Sequence, residues 1–139
     1  MDSPPLTPSG GGVPAGPTAG GEPARWVEPE VLAELEAELE GPELARKFAR
    51  DYAALWDQRF SRLAAAVRAG DRPDALDAII SLRTASAMVG GVRLAMQARS
   101  LESAIRRADF ARGQDLLAGV AEHGASTIAE LQAKYILNN

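Results

Sequence analysis

The chain has no cysteine. It therefore forms no disulfide and offers no thiolate to a metal. Histidine occurs once, as His123. A metal centre built on nitrogen and sulfur needs several such ligands, so no metal and no other cofactor are expected. Aromatic residues are scarce, seven in 139. That poverty argues against a β-sandwich, which draws on aromatic and β-branched side chains. A basic excess is missing too: 15 Lys and Arg face 19 Asp and Glu, for a net charge of −4. Nucleic-acid binders carry a clustered positive surplus, so nucleic acid is not an expected partner. No apolar run approaches the roughly 20 residues of a membrane span. The opening "MDSPPLTPSGGG" lacks the basic-then-apolar order of a secretion signal. A soluble cytoplasmic protein without membrane contact is the expectation.

What is present is alanine-rich helical pattern. Residues 1–25 hold six prolines and six glycines with almost no large apolar side chain. Such a segment cannot bury enough surface to offset its chain entropy, so a disordered tail is expected there. A Pro-rich ligand is the other reading, but "SPPLTP" has no P-x-x-P with an Arg nearby. Residues 26–139 form the domain. "VEPEVLAELEAELE" predicts a short amphipathic helix stopped by Gly41 and Pro42. A second helix follows to Gly70, with Phe48, Tyr52, Leu55, Trp56, Phe60, Leu63 and Val67 at helical spacing. Asp71 is the expected N-cap of a third, with Pro73 in its first turn. Gly90 and Gly91 break the chain before a fourth, whose inner face is Leu94, Ala98, Leu101 and Ile105. Asp109 caps a fifth, with a stripe of Leu117, Ala121, Gly124, Ile128, Leu131 and Tyr135. Short connections make neighbours antiparallel. The expected fold is all-α: an up-down four-helix bundle preceded by a short helix.

The third and fourth helices carry an ungapped pattern. Leu82, Arg83 and Thr84 are followed by the small pair Ala85 and Ser86, then Gly90 and Gly91. Arg93, Leu94, Ala95, Leu101 and Glu102 complete it. This run resembles the histidine-containing phosphotransfer domain, with pattern His-x-Leu-Lys-Gly, two small residues, Gly-Ala, Arg-Leu-Ala and a later Leu-Glu. The entry "RAGDRPDALDAI" and the aromatic-rich "FARDYAALWDQRFSRL" agree with it. The resemblance spans residues 28–136. It implies a relay fold whose phosphoryl acceptor falls on Ile80. Isoleucine has no lone pair, so transfer at this position is excluded. Ser81 and Thr84 lack an activating base except Asp77. The implied activity is that of a pseudo-phosphotransfer module without catalysis. Its implied partner is a response-regulator receiver domain or a histidine kinase.

A helix turns about 100° per residue. With Leu82 at the centre of the buried face, Ala75, Ala78, Ile79, Ala85, Ser86 and Val89 lie within about 60° of it. Ile80 lies about 160° away, on the outer face. Asp77, Arg83, Thr84 and Ala87 accompany it. On the fourth helix Arg93, Met96, Ser100 and Arg107 point outward, with Gln97 on the flank. The residues expected to meet a partner are Asp77, Ile80, Arg83, Thr84, Ala87, Arg93, Met96 and Gln97. Ile80, Ala87 and Met96 are its expected apolar centre, in the surface that in the resembled domains docks the receiver. Arg83 stands where that family has Lys.

His123 sits at the edge of the fifth-helix stripe, diagonal to the third helix, and is expected to be a flank residue rather than a displaced acceptor. "SGGG" and "AGG" lack the Lys-Ser/Thr of a phosphate loop. One histidine without a supporting motif makes no catalytic triad. Enzyme activity is not expected. A monomer or weak homodimer is. The alternatives are a helical self-association or scaffolding domain unrelated to phosphorelay, and phosphotransfer through a non-standard residue.

Overall fold

The computed structural model describes residues 25–137. The tail reading for 1–25 lies outside them, Arg25 excepted. The described residues form helices α1 (Pro29–Glu38), α2 (Pro42–Ala69), α3 (Arg72–Met88), α4 (Val92–Arg106) and α5 (Phe110–Leu131). A π-helical turn, Gln132–Ile136, continues α5. No strand occurs among them.

Local chemistry explains the boundaries. Pro29, Pro42 and Pro73 each stand in the first two positions of a helix, where the missing N–H is no loss. Asp71 accepts from Asp74 N at 3.2 Å, and Asp109 from Arg112 N at 3.1 Å. Both are N-caps that satisfy otherwise orphaned amides. α2 closes with Gly70 in the left-handed region, and Asp71 N donates to Ala66 O at 3.0 Å. The end of α4 repeats this closure with Asp109 N on Ala104 O at 2.9 Å. There Ala108 takes the left-handed position, φ 58.

α2, α3, α4 and α5 form the bundle, each packed on its sequence neighbour and α5 also on α2. α3 and α5 are diagonal. The core joins Leu63 and Val67 of α2, Ile79 and Leu82 of α3, Leu94, Leu101 and Ile105 of α4, and Val120 and Leu131 of α5. The predicted inner faces of α3 and α4 are all buried. Two details differ from the sequence reading. Leu55 is exposed, because Tyr52 and Trp56 take the inward positions of that turn. The buried line of α5 runs through Gly113, Leu117, Val120, Gly124, Thr127 and Leu131, leaving Ala121 and Ile128 on its flank.

Gly124 faces the Trp56 ring so closely that a Cβ would overlap the indole carbons. Close approach of α2 and α5 thus depends on a missing side chain. Gly90, at φ 85, turns the chain between α3 and α4, and its carbonyl accepts from Glu28 N at 2.9 Å. A Cβ there would meet the Glu28 backbone oxygen at 2.8 Å. The segment before α1 is held at its other side by Glu130, whose carboxylate accepts from Trp26 N at 3.1 Å and Val27 N at 2.9 Å.

Candidate functional site: the outer faces of α3 and α4

Ile80 lies midway along α3 with 36% of its surface exposed. Its helix neighbour Ile79 is fully buried. The outward orientation follows from helical geometry once Ala75, Leu82 and Val89 face the core. Ser81, Thr84 and Ala87 are exposed on the same side.

Two ion pairs flank this ridge. Toward α2, Asp77 accepts from Arg62 Nη2 at 2.8 Å. Arg62 also engages Asp74. Toward α4, Arg83 Nε donates to Glu102 Oε1 at 2.7 Å. Glu102 accepts a second pair of bonds from Arg106, at 3.0 and 2.7 Å. Glu102 is 8% exposed. Burial alone would raise its carboxyl, but the hydrogen bonds and charges of Arg106 and Arg83 outweigh that and hold it below the usual glutamate range. Arg83 is therefore a fixed member of the α3–α4 seam rather than a freely solvated arginine. Sequence separation hid this, since Arg83 and Glu102 stand nineteen positions apart. The signal was the Leu-Glu pair, Leu101 and Glu102, with one member buried apolar and the other buried charged.

The expected contact residues fall on separate surfaces. Arg83, Arg99, Glu102, Ser103 and Arg106 line the α3–α4 groove. Arg83, Thr84, Ala87 and Met88 face Val31, Glu34, Leu35 and Glu38 of α1 across another. Arg93, Met96 and Gln97 line a third groove, toward α5, with Ser100 and His123. Met96 is 65% exposed. Met96 thus borders the groove shared with His123 of α5, whereas Arg83 borders both the α3–α4 groove and the one facing α1.

Chemically the Ile80 face offers hydroxyls and a methyl surface, with no imidazole. Asp77, the acid that could serve Ser81 or Thr84 as a base, is engaged by Arg62. His123 occupies the flank position read from the sequence. Its Nδ1 lies 2.8 Å from Gly119 O, and its ring meets Trp26 edge-on at 5.2 Å. A carbonyl only accepts, so Nδ1 carries the proton. Beneath the ridge, Ser86 and the Tyr52 hydroxyl share a buried hydrogen bond of 2.6 Å. Burial pushes the Tyr52 hydroxyl up to about 12, against a smaller lowering by Ser86 and Arg59.

In fold the bundle is similar to that of a histidine-containing phosphotransfer protein. The likeness is to the crystal structure of histidine-containing phosphotransfer protein B from Pseudomonas aeruginosa PAO1. The TM-score is 0.73 and the identity 22%, over 84% of this chain and 100% of that one. No family model matches the chain, and no curated protein matches it. Among the described residues no helix is long and apolar enough to cross a membrane.

Proposed function

We propose that this chain is a phosphotransfer-like docking module that binds a response-regulator receiver domain, or a histidine kinase, without taking up phosphate. The observation that carries this reading is Ile80. The sequence pattern puts the acceptor there, the side chain is on the surface, and it has no nucleophilic atom. Replacing an imidazole by isoleucine removes the chemistry and makes the middle of the surface more apolar. Apolar centres with polar rims suit protein docking. Arg83, held in place by Glu102, still presents guanidinium N–H groups at the rim. The likeness to a phosphotransfer protein supports the same reading through the fold. Such a module competes with an active phosphotransfer protein for its receiver, or holds that receiver in one state.

The test is binding of purified receiver domains to the chain and to Ile80→Asp. A charge in the centre of the contact weakens binding by about tenfold or more. Unchanged binding would place the contact elsewhere. In parallel, the chain mixed with a phosphorylated receiver gains no acid-labile phosphate. Appearance of that phosphate would overturn the non-accepting part of the proposal.

A further inference from the structure

The groove between α4 and α5 differs from its neighbours in charge. Four other grooves on this bundle each include glutamate: Glu36 and Glu130, Glu102, Glu34 and Glu38, and Glu43. The α4–α5 groove, about 300 Å³, is lined by Arg93, Met96, Gln97, Ser100 and His123 and has no carboxylate. In a chain of net charge −4 that is a local reversal.

Its polar groups are also held in place. The Arg93 guanidinium lies 4.1 Å from the centre of the Trp26 ring. Stacking of this kind orders a long side chain while its N–H groups stay available. No carboxylate of the described residues forms an ion pair with Arg93. Gly119 lies against two of the lining residues. A Cβ there would touch the Gln97 amide at 3.7 Å, and the Gly119 carbonyl fixes the His123 ring through Nδ1. Nε2 is then the imidazole nitrogen left for a ligand, and it donates when the ring is protonated. The nearest acid on the His123 turn is Glu122, which is exposed.

We infer that the α4–α5 groove binds a tetrahedral oxyanion of the phosphate class, with Arg93 as counter-ion and the Gln97 amide as donor, at a site that His123 also lines. A guanidinium, whose N–H groups match phosphate oxygens, is a recurrent element of phosphate recognition. Neither Ile80 nor Arg83 lines this groove. The oxyanion is either free or the phosphoryl group of a larger molecule.

His123 is the sole histidine, so its ring-proton NMR signals are assigned without ambiguity. The experiment follows those signals at constant pH and ionic strength while inorganic phosphate, then phenyl phosphate, replaces chloride. Both the full chain and Ile80→Asp show a saturable shift with inorganic phosphate. Arg93→Gln weakens the midpoint about tenfold, as loss of a charge-assisted bond does. Arg93→Lys, which keeps the charge, retains saturable binding. Equal response to phenyl phosphate identifies a phosphoryl group on a carrier as the ligand. Response to inorganic phosphate alone identifies the free ion. A shift that never saturates, or one that Arg93→Gln leaves unchanged, overturns the assignment.

Discussion

Arg83 and Glu102 meet across the α3–α4 seam at 2.7 Å, and Arg106 closes on the same carboxylate from the next turn. One buried acid therefore positions two bases. Glu102→Gln leaves both guanidinium groups without their counter-charge. Losing hydrogen bonds to a charged group costs about 1.5–3 kcal/mol. Denaturant melts at neutral pH check it. The pH dependence has a definite sign. The folded carboxyl is held below its ordinary value of 4.5, so its stabilisation is present above that value. It is lost as pH falls through the lower folded value. Glu102→Gln should flatten the acid branch of the stability profile; an unchanged branch would assign that dependence to other carboxylates.

A nucleophile can be returned to the outer face of α3. Ile80→His supplies an imidazole, and Ile80→His/Thr84→Gly also clears the hydroxyl one turn on. Transfer from an aspartyl phosphate breaks its P–O bond, forms a P–N bond and releases the carboxylate. The double variant should gain acid-labile phosphate from a phosphorylated receiver, the single variant less, and the parent none. Glycine inside α3 costs about 0.5–1 kcal/mol, which the fold should tolerate. Failure of both variants would remove Ile80 from the acceptor position.

Tyr52 contributes to the alkaline side, as does Tyr135, whose hydroxyl is also pushed up to about 12, by burial and by Glu36. The Tyr52 hydroxyl ordinarily titrates at 10.0 and is pushed to about 12 in the folded chain. The folded state thus disfavours the phenolate, and the stabilisation is present below pH 10.0 and lost as pH rises toward 12. Tyr52→Phe should remove that part of the alkaline transition. It also leaves Ser86 without its 2.6 Å partner, at a cost of about 1–3 kcal/mol. Absorbance titration of tyrosine alongside circular dichroism reads both effects.

Gly124 and Trp56 form a matched pair. Gly124→Ala should cost about 1–3 kcal/mol by overpacking. Trp56→Leu on its own opens a void and also destabilises. The double variant should be more stable than the sum of the two losses, because the new methyl enters space the indole vacates. Additive losses would show that the two sites do not share one contact.

Helix boundaries were legible in the sequence because their causes are local. Pro29, Pro42 and Pro73, the caps Asp71 and Asp109, and the Gly70 stop each act within a turn. The outward direction of Ile80 was equally legible, since it needs only the helical period and an apolar face. What depends on how helices meet was not. Counting along α5 selected Ala121 and Ile128 beside Gly124, whereas packing put Val120 and Thr127 on the inner line with it. The groove that Met96 shares with His123 was likewise hidden, because an outer face read helix by helix does not reveal which seam each residue borders. The stacking of Arg93 on Trp26 joins residues far apart in sequence, and no local pattern announces it.

The Glu130 carboxylate that holds the Trp26 and Val27 amides lies more than a hundred residues later in the chain. α1 is thus made well before the residue that anchors the segment in front of it. Until the end of α5 emerges, the apolar side of α1, Leu32 and Leu35, lacks that anchor. Truncation before residue 130 should therefore loosen α1 first, and a nascent chain stalled there should leave α1 within reach of a chaperone.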